Sequence, residues 1–154
     1  MTVPTTFDSL DDLRAAAGRH LGWTDWIDIT QARVDQFADA TGDHQWIHVD
    51  VDRATAESPF GGPIAHGYLT LALSNLFLPQ LLAVPGASAG VNYGTGRVRF
   101  PSPVPVGSRV RGGAEITAIE EITGGVQTTI TITIQVEGQE KPACVIESLS
   151  RWLA

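Results

Sequence analysis

The clearest pattern in the chain is a two-residue alternation between residues 126 and 136, interrupted only by Thr128. Apolar side chains occupy one set of positions, and threonine or glutamine occupies the positions between them. Such alternation predicts a half-buried antiparallel strand. The apolar set is Val126, Ile130, Ile132, Ile134 and Val136. Segments from residue 87 to the C-terminus share this strand character and are separated by glycine- or proline-rich breaks, which predicts a meander of long strands.

The N-terminal half carries helical patterns instead. Residues 8–17 predict a short helix, and a second helix is predicted from a Thr30 cap to about Ala40, with Gly42 as its terminator. The apolar face of this second helix comprises Val34, Phe37, Ala38 and Thr41. Between the two helices, residues 22–30 are rich in tryptophan and isoleucine and predict a strand, although the alternation is imperfect.

One further segment, HGYLTLALSNLFLPQLLAV, is apolar nearly all the way round a helix. A helix without a polar face must be buried, and Asn75 and Pro79 make this one a poor membrane span. Strand, helix, enclosed helix and strand meander together predict an α+β hot-dog fold, in which an antiparallel β-sheet wraps around a long buried central helix. Because the sheet edges need cover, we expect a homodimer.

Length and composition narrow the class of protein. The 154 residues fit a single domain over 1–154, with residues 1–22 as an N-terminal extension that carries no motif. A net charge of −7 without a cluster of Lys or Arg argues against a nucleic-acid partner. The lone Cys144 excludes an internal disulfide. The acidic N-terminal segment resembles neither a signal peptide nor a membrane anchor, so we expect a cytoplasmic protein that does not bind membranes.

Proton-handling side chains are concentrated in ATGDHQWIHVD, residues 40–50. A metal site, an acid–base site and a solvated loop are the three possible interpretations. His44 and His48 are four residues apart, as in zinc-binding helices, but the glutamate of the HExxH motif is missing. No third ligand has a diagnostic spacing either, so we expect no metal here.

The choice between the other two interpretations depends on Trp46 and Ile47. A loop that only faces water has little use for two large apolar residues, so this turn is expected to dip into the core. A carboxylate and an imidazole in a half-dry cleft can share a proton. Asp43 and His48 are therefore expected to converge on one water molecule, with His44 pointing outward.

A second element adds to the acid–base interpretation. In IAHGYLTLAL, Gly67 falls at or near the first turn of the central helix. The first N–H groups of a helix have no intrahelical partner and carry the positive end of the helix dipole. Glycine allows a ligand carbonyl to approach closely, so the Gly67 N–H is a candidate oxyanion donor. A glycine needed only for packing between loop and helix is the alternative.

These residues carry a family resemblance. TGDHQWIHVD followed by FGGPIAHGYLTLAL resembles the hydratase-2 motif of the MaoC-like dehydratases, the (R)-specific enoyl-CoA hydratases. The similarity runs from roughly Thr30 to the C-terminus and includes VNYGTGRVRFPSPVPVG. It implies Asp43 and His48 as the catalytic pair and Gly67 as the oxyanion amide. Many members of the family have Asn-Pro where this chain has Gln45-Trp46, which puts the shape of the acyl pocket in question.

The resemblance also implies a reaction. A homodimer would add water across a trans-2-enoyl thioester, carried on CoA or acyl-carrier protein, to give an (R)-3-hydroxyacyl product without a cofactor or metal. Asp43 is favoured as the base, with His48 as the water-positioning group and proton donor, although the sequence does not separate these roles. The residues expected to contact substrate are Trp46, His66, Tyr68, Asn92, Tyr93, Arg97 and Arg99. A hot-dog acyl-CoA thioesterase and a non-catalytic acyl-thioester-binding module are the alternatives.

Overall fold

The computed structural model describes residues 2–154. The helices are α1 (Leu10–Arg14), α2 (Gln31–Thr41), α3 (Trp46–Val49), α4 (Val51–Glu57), α5 (Gly67–Ala72) and α6 (Ser74–Leu81). The strands are β1 (Thr5–Thr6), β2 (His20–Trp23), β3 (Ile27–Asp28), β4 (Leu82–Ala83), β5 (Ala89–Arg99), β6 (Arg109–Ile122), β7 (Gly125–Val136) and β8 (Cys144–Leu153). Among these residues, no helix is long and apolar enough to cross a membrane.

One antiparallel sheet organises the molecule. Its strand order is β2-β6-β7-β8-β5, with β3 also paired to β6, while β1 and β4 form a separate parallel pair. The predicted apolar face of β7 is buried along its whole length, and Thr128 is buried with it. The predicted α+β arrangement, a sheet wrapped around a helix, is therefore confirmed.

The central helix consists of two consecutive segments, α5 and α6, that meet at Leu73. Side chains four residues apart along it, Leu69, Leu73, Phe77 and Leu81, are buried against the sheet. The sheet makes room at Gly112, where a Cβ atom would lie 2.7 Å from the Phe77 side chain. The helix thus packs closely on β6.

The prediction that this helix is buried on all sides was wrong for the single chain. Tyr68 is 73% exposed, and Asn75, Leu76 and Pro79 are exposed on the same helix. The face opposite the sheet has no layer of its own chain over it. Its apolar side chains need cover from elsewhere.

Helix α2 begins and ends as the sequence predicts. The Thr30 hydroxyl accepts a hydrogen bond from the Arg33 N–H at 3.1 Å, which satisfies one of the free donors of the first turn. Gly42 adopts a left-handed conformation (φ 83°) and donates its N–H to the Ala38 carbonyl at 2.8 Å. Of the predicted apolar face, Val34 and Ala38 are buried, whereas Thr41 in the last turn is exposed.

The predicted strand over 22–30 is interrupted. Trp23 pairs with Gly113 and Ile27 pairs with Val110, so three residues on one side face two on the other. This extra residue lets the rings of Trp23 and Trp26 both lie 4.6 Å from the guanidinium of Arg111. The strand is therefore interrupted where Trp23 and Trp26 pack on the guanidinium of Arg111.

The segment treated as an N-terminal extension contributes to the core. Leu13 and Phe7 are buried in the same apolar cluster as the sheet residues. The predicted helix over 8–17 is shorter than expected, since α1 spans five residues from a Ser9 cap. The first strands add to both sheets, because β1 pairs with β4 and β2 pairs with β6.

Candidate active site

Asp43 lies in the turn between α2 and α3, directly after the glycine that ends α2. Its carboxylate accepts a hydrogen bond from the Gln45 N–H at 3.3 Å, and its own N–H donates weakly to the Thr41 hydroxyl at 3.4 Å. The carboxylate is therefore bent back toward the start of α3, while its side chain keeps 53% of its surface exposed.

His48 is the buried residue of the single turn α3. Its Nδ1 lies 2.7 Å from the Ile64 carbonyl oxygen. Because a carbonyl oxygen only accepts, Nδ1 carries the proton, and Nε2 of the neutral ring holds a free lone pair. Burial lowers the pKa of His48 below its ordinary value, and His66 lowers it further, against the opposing effects of the Ile64 carbonyl and Asp43.

His66, the residue just before α5, completes the cluster and is 2% exposed. Its ring stacks on that of His48 with centroids 3.9 Å apart and an angle of 24° between the planes. Phe37 contacts the same ring at 4.9 Å. The Nε2–H of His66 donates to the backbone carbonyl of Asp43 at 2.9 Å, and Nε2 lies 4.0 Å from the Asp43 carboxylate.

These contacts bring Asp43, His48 and His66 together from three separate elements. One donor or acceptor atom of each lies within 4.8 Å of the others. A water molecule that makes two hydrogen bonds of about 2.8 Å spans such a distance between a carboxylate oxygen and an imidazole nitrogen. The cluster has the dimensions that acid–base chemistry on one water requires.

The same three side chains would be a candidate set for a divalent cation by distance alone. Imidazole ligands bind metals through lone pairs that lie in the ring plane. The near-parallel stacking of His48 and His66 directs these lone pairs side by side rather than toward a common point. His48 Nδ1 and His66 Nε2 also already donate to carbonyl oxygens. This geometry fits proton transfer better than metal binding.

Gly67 is the first residue of α5, directly after His66. In the part of the chain that the structure describes, its N–H donates to no carbonyl or side chain. The residue is exposed at the edge of a cavity of about 260 Å³, whose walls include Ile64, Thr70 and Phe100. The amide is thus free to donate to a ligand.

The other predicted substrate contacts fall into separate places. Tyr68, Asn92 and Tyr93 line one depression of about 430 Å³ between the central helix and β5, where the Asn92 amide donates to Asn75 at 3.0 Å. Arg97 and Arg99 line a different depression beside Glu147. The structure does not bring the two arginines into the same depression as the other three residues.

Trp46 and His44 flank the cluster. Trp46 is half-buried, and the Arg53 guanidinium lies 4.2 Å from its ring. His44 is exposed, as predicted, and its Nε2 lies 2.9 Å from Asp39, which raises the pKa of His44. Neither side chain makes a hydrogen bond with the side chain of Asp43 or His48 in the region described.

Sequence reasoning missed one supporting residue, Gln31. Its amide donates to the His48 carbonyl at 2.7 Å and to the Asp35 carboxylate at 2.8 Å, which ties the loop to the start of α2. Gln31 lies three residues before Val34, on the buried face of α2. A polar residue at such a position is the signal that would have found it.

Comparisons with known proteins identify the family of the chain. The model of the MaoC like domain family matches residues 12–138. The 3-hydroxyacyl-thioester dehydratase Z of Mycobacterium tuberculosis is 54% identical over 150 residues, which cover 97% of this chain and 99% of that protein.

Two solved structures share the fold. The (R)-hydratase of A. caviae, described as involved in PHA biosynthesis, superposes with a TM-score of 0.73 at 26% identity and covers 88% of this chain and 96% of its own. R-hydratase PhaJ1 of Pseudomonas aeruginosa superposes with a TM-score of 0.74 at 21% identity. The superposition covers 99% of this chain and 86% of PhaJ1. The chain therefore has the hot-dog fold, belongs to the MaoC-like dehydratase family and is a hydro-lyase of the hydratase/dehydratase class.

Proposed function

We propose that the protein catalyses the reversible syn addition of water to trans-2-enoyl thioesters, giving (R)-3-hydroxyacyl thioesters. The observation that carries the proposal is that the Asp43 carboxylate and the His48 imidazole lie within 4.8 Å of each other. His66, which belongs to the same cluster, directly precedes Gly67. The name of the M. tuberculosis relative, which specifies a thioester, and the (R)-hydratase neighbour support this substrate class and stereochemistry.

The neutral tautomer of His48 supports a direction for proton transfer. With Nδ1–H donated to Ile64, Nε2 is an acceptor and not a donor. His48 therefore takes one proton from the bound water, while Asp43 accepts the hydrogen bond of the other and stabilises the imidazolium that forms. The sequence favoured Asp43 as the base, and the hydrogen bond to Ile64 is the reason to prefer His48.

The bonds then rearrange in a balanced way. The water O–H bond breaks as oxygen attacks C3, and the electrons of the C2–C3 double bond move onto the thioester oxygen to give an enolate. His48 Nε2–H returns the proton to C2 and restores the carbonyl. Since the same group takes and returns the proton, hydroxyl and hydrogen add to one face. Dehydration is the same sequence reversed.

Gly67 supplies the electrophilic half of the site. Its free N–H is available to donate to the thioester carbonyl and to the enolate oxygen, where negative charge develops. A single oxyanion donor of this kind contributes roughly 10²- to 10³-fold in kcat in other enzymes. The proposed reaction uses only these groups of the chain and the thioester, and no cofactor.

We further propose a homodimer. The free edge of β5 and the exposed face of the central helix carry exposed apolar side chains at Tyr68, Leu76, Val91, Tyr93 and Phe100. An unpaired strand edge beside an apolar surface is unstable in water and favours pairing with a second copy. Such a partner would also cover the depression lined by Tyr68, Asn92 and Tyr93.

Crotonyl-CoA tests the proposal directly. Wild-type protein is expected to remove the enoyl absorbance, and chiral analysis is expected to give the (R) product. Asp43→Asn and His48→Gln are each expected to lower kcat by roughly 10²- to 10⁴-fold, whereas His44→Gln, the matched exposed histidine, is expected to retain it. Free CoA release without hydration would indicate a thioesterase. Binding without turnover would indicate an acyl-binding module.

A further inference from the structure

His66 occupies a position that the hydration mechanism does not explain. It contacts no described charged side chain at hydrogen-bond distance, yet it is almost fully buried and touches Asp43, His48 and Phe37. We propose that His66 is a positioning residue that fixes the Asp43 turn and the His48 ring relative to each other and, through its peptide bond, to the Gly67 amide. This inference rests on the proposed function.

The hydrogen bond from His66 to Asp43 holds the turn between α2 and α3. The turn that holds Asp43 is exposed, and its other bonds, to Thr41 and from Gln45, are 3.4 and 3.3 Å long. The bond from His66 Nε2–H to the Asp43 carbonyl, at 2.9 Å, is the shortest of the three. It connects the acidic half of the site to the residue that begins the oxyanion helix.

The ring of His66 also stacks on that of His48. Rings 3.9 Å apart and nearly parallel restrict rotation of the His48 imidazole, and two such rings resist carrying a positive charge at the same time. The titratable groups that face His48 are His66 and Asp43, and Asp35 reaches its backbone only through Gln31. His66 therefore helps to keep His48 in its neutral form, which accepts a proton.

The second ring nitrogen of His66 distinguishes a polar role from a packing role. Nδ1 is buried and has no hydrogen-bond partner among residues 2–154. With Nε2 protonated, Nδ1 is an acceptor, and a buried acceptor without a donor is unfavourable for stability. A residue selected only for packing would be better as an apolar ring, as at Phe37. The polar ring is explained by the bond that its other nitrogen makes.

Two amide variants separate these effects. The side-chain nitrogen of glutamine is as many bonds from Cα as Nε2 of histidine, whereas that of asparagine ends at the position of Nδ1. His66→Gln is therefore expected to keep the bond to the Asp43 carbonyl and to retain kcat within about threefold. His66→Asn is expected to lose the bond and to lower kcat roughly 10²-fold with little change in KM, because a small misplacement of reacting groups has that effect.

Two measurements without substrate accompany the kinetics. Amide hydrogen exchange over residues 43–48 is expected to be faster in His66→Asn than in His66→Gln, which preserves the turn. The NMR titration of the His48 ring is expected to move to higher pH in both variants, because neither carries the second imidazole. Because His48 acts as a base in its neutral form, activity is lost as pH falls through its pKa, and this acidic limb of the pH–kcat profile should move to higher pH with the titration.

Equal kcat in the two variants, whether both wild-type-like or both impaired, would overturn the positioning role of the hydrogen bond. An unchanged His48 titration in both would overturn the role of the stack. If the wild-type protein hydrated no enoyl thioester, the proposed function would fail, while exchange and titration would still decide whether His66 positions the turn and the ring.

Discussion

Strands β7 and β5 lie on opposite sides of β8, and they differ in how far the chain buries their side chains and pairs their edges. Every second residue of β7 is buried, and the strand is hydrogen-bonded on both edges. Strand β5 is hydrogen-bonded only to β8, and all of its residues except the half-buried Val98 are exposed. Within residues 2–154 the environment of β7 is complete, whereas one edge and nearly all side chains of β5 are open to solvent.

The candidate site is divided in the same way. His48 and His66 are 6% and 2% exposed, so their environment is built by one chain, whereas the Asp43 side chain, 53% exposed, lies at the boundary of this buried part. Gly67, Tyr68, Asn92 and Tyr93 are exposed, like the rest of β5. We infer that acid–base chemistry is assembled inside each subunit, and that the surface meeting the acyl chain is completed by the partner. The predictions below test this division.

The largest effect on stability is expected in β7. Ile132→Ala removes a fully buried side chain and is expected to lower the free energy of unfolding by about 2–5 kcal/mol. Thr133→Ala, on the other face of the same strand, is the control and is expected to change it by no more than about 0.5 kcal/mol. Urea unfolding measures both. Similar losses in the two variants would contradict the two-sided character of β7.

The next effect is expected at the β5 edge. Val91→Lys places a charge on the exposed edge strand and is expected to shift the protein from dimer to monomer in sedimentation, since one apolar side chain buried at an interface contributes about 1.5–3 kcal/mol. Val3→Lys changes an equally apolar and more exposed residue outside the edge, and it should leave the mass unchanged. A wild-type protein that sediments as a monomer at all concentrations would contradict the incomplete edge.

The sequence predicted β7 well because one rule, alternation, applies to it at every position except Thr128, which is buried with the apolar residues. It predicted β5 as a strand but not its shape. Gly90 leaves room for the ring of Trp152, where a Cβ atom would lie only 2.6 Å away, and two register shifts interrupt the pairing with β8. Such features depend on side chains of a neighbouring strand and therefore leave no local pattern. The central helix was misjudged for a related reason: its apolar outer face indicated burial, but no element among residues 2–154 covers that face.

For the site, the motif identified Asp43, His48 and Gly67, and the fold places the first two together. The supporting contacts were not predictable from spacing. Ile64 and His66 are 16 and 18 positions beyond His48 in the chain, and their contacts depend on how the loop before α5 folds back. The tautomer of His48, which decides the direction of proton transfer, depends on a backbone carbonyl and therefore has no signature in residue identity.

A smaller effect concerns pH and distinguishes the buried half of the site from the edge. Because burial lowers the pKa of His48 in the folded protein, the unfolded chain binds the proton first as pH falls below about 6.5. The contribution of neutral His48 to the free energy of unfolding is therefore fully present above that pH and decreases as pH falls toward the folded pKa. Urea unfolding of His48→Gln at pH 7.5 and 5.5 should show a smaller decrease than wild type. Val91→Lys should keep the wild-type decrease, because the environment of His48 lies within one chain.

The smallest effect is expected at His44, four residues before His48 and opposite to it in exposure and in the direction of its pKa shift. His44 is exposed and paired with Asp39, which raises its pKa, so its contribution to stability is present below pH 6.5 and is lost as pH rises through the folded pKa. Solvent screens such a pair, and the change in stability in His44→Gln is expected to be close to the limit of detection. Crotonyl-CoA kinetics of this variant should match wild type. A loss of kcat comparable to that of His48→Gln would mean that the exposed histidine takes part in the chemistry, and that the division between a buried acid–base half and an exposed surface is drawn in the wrong place.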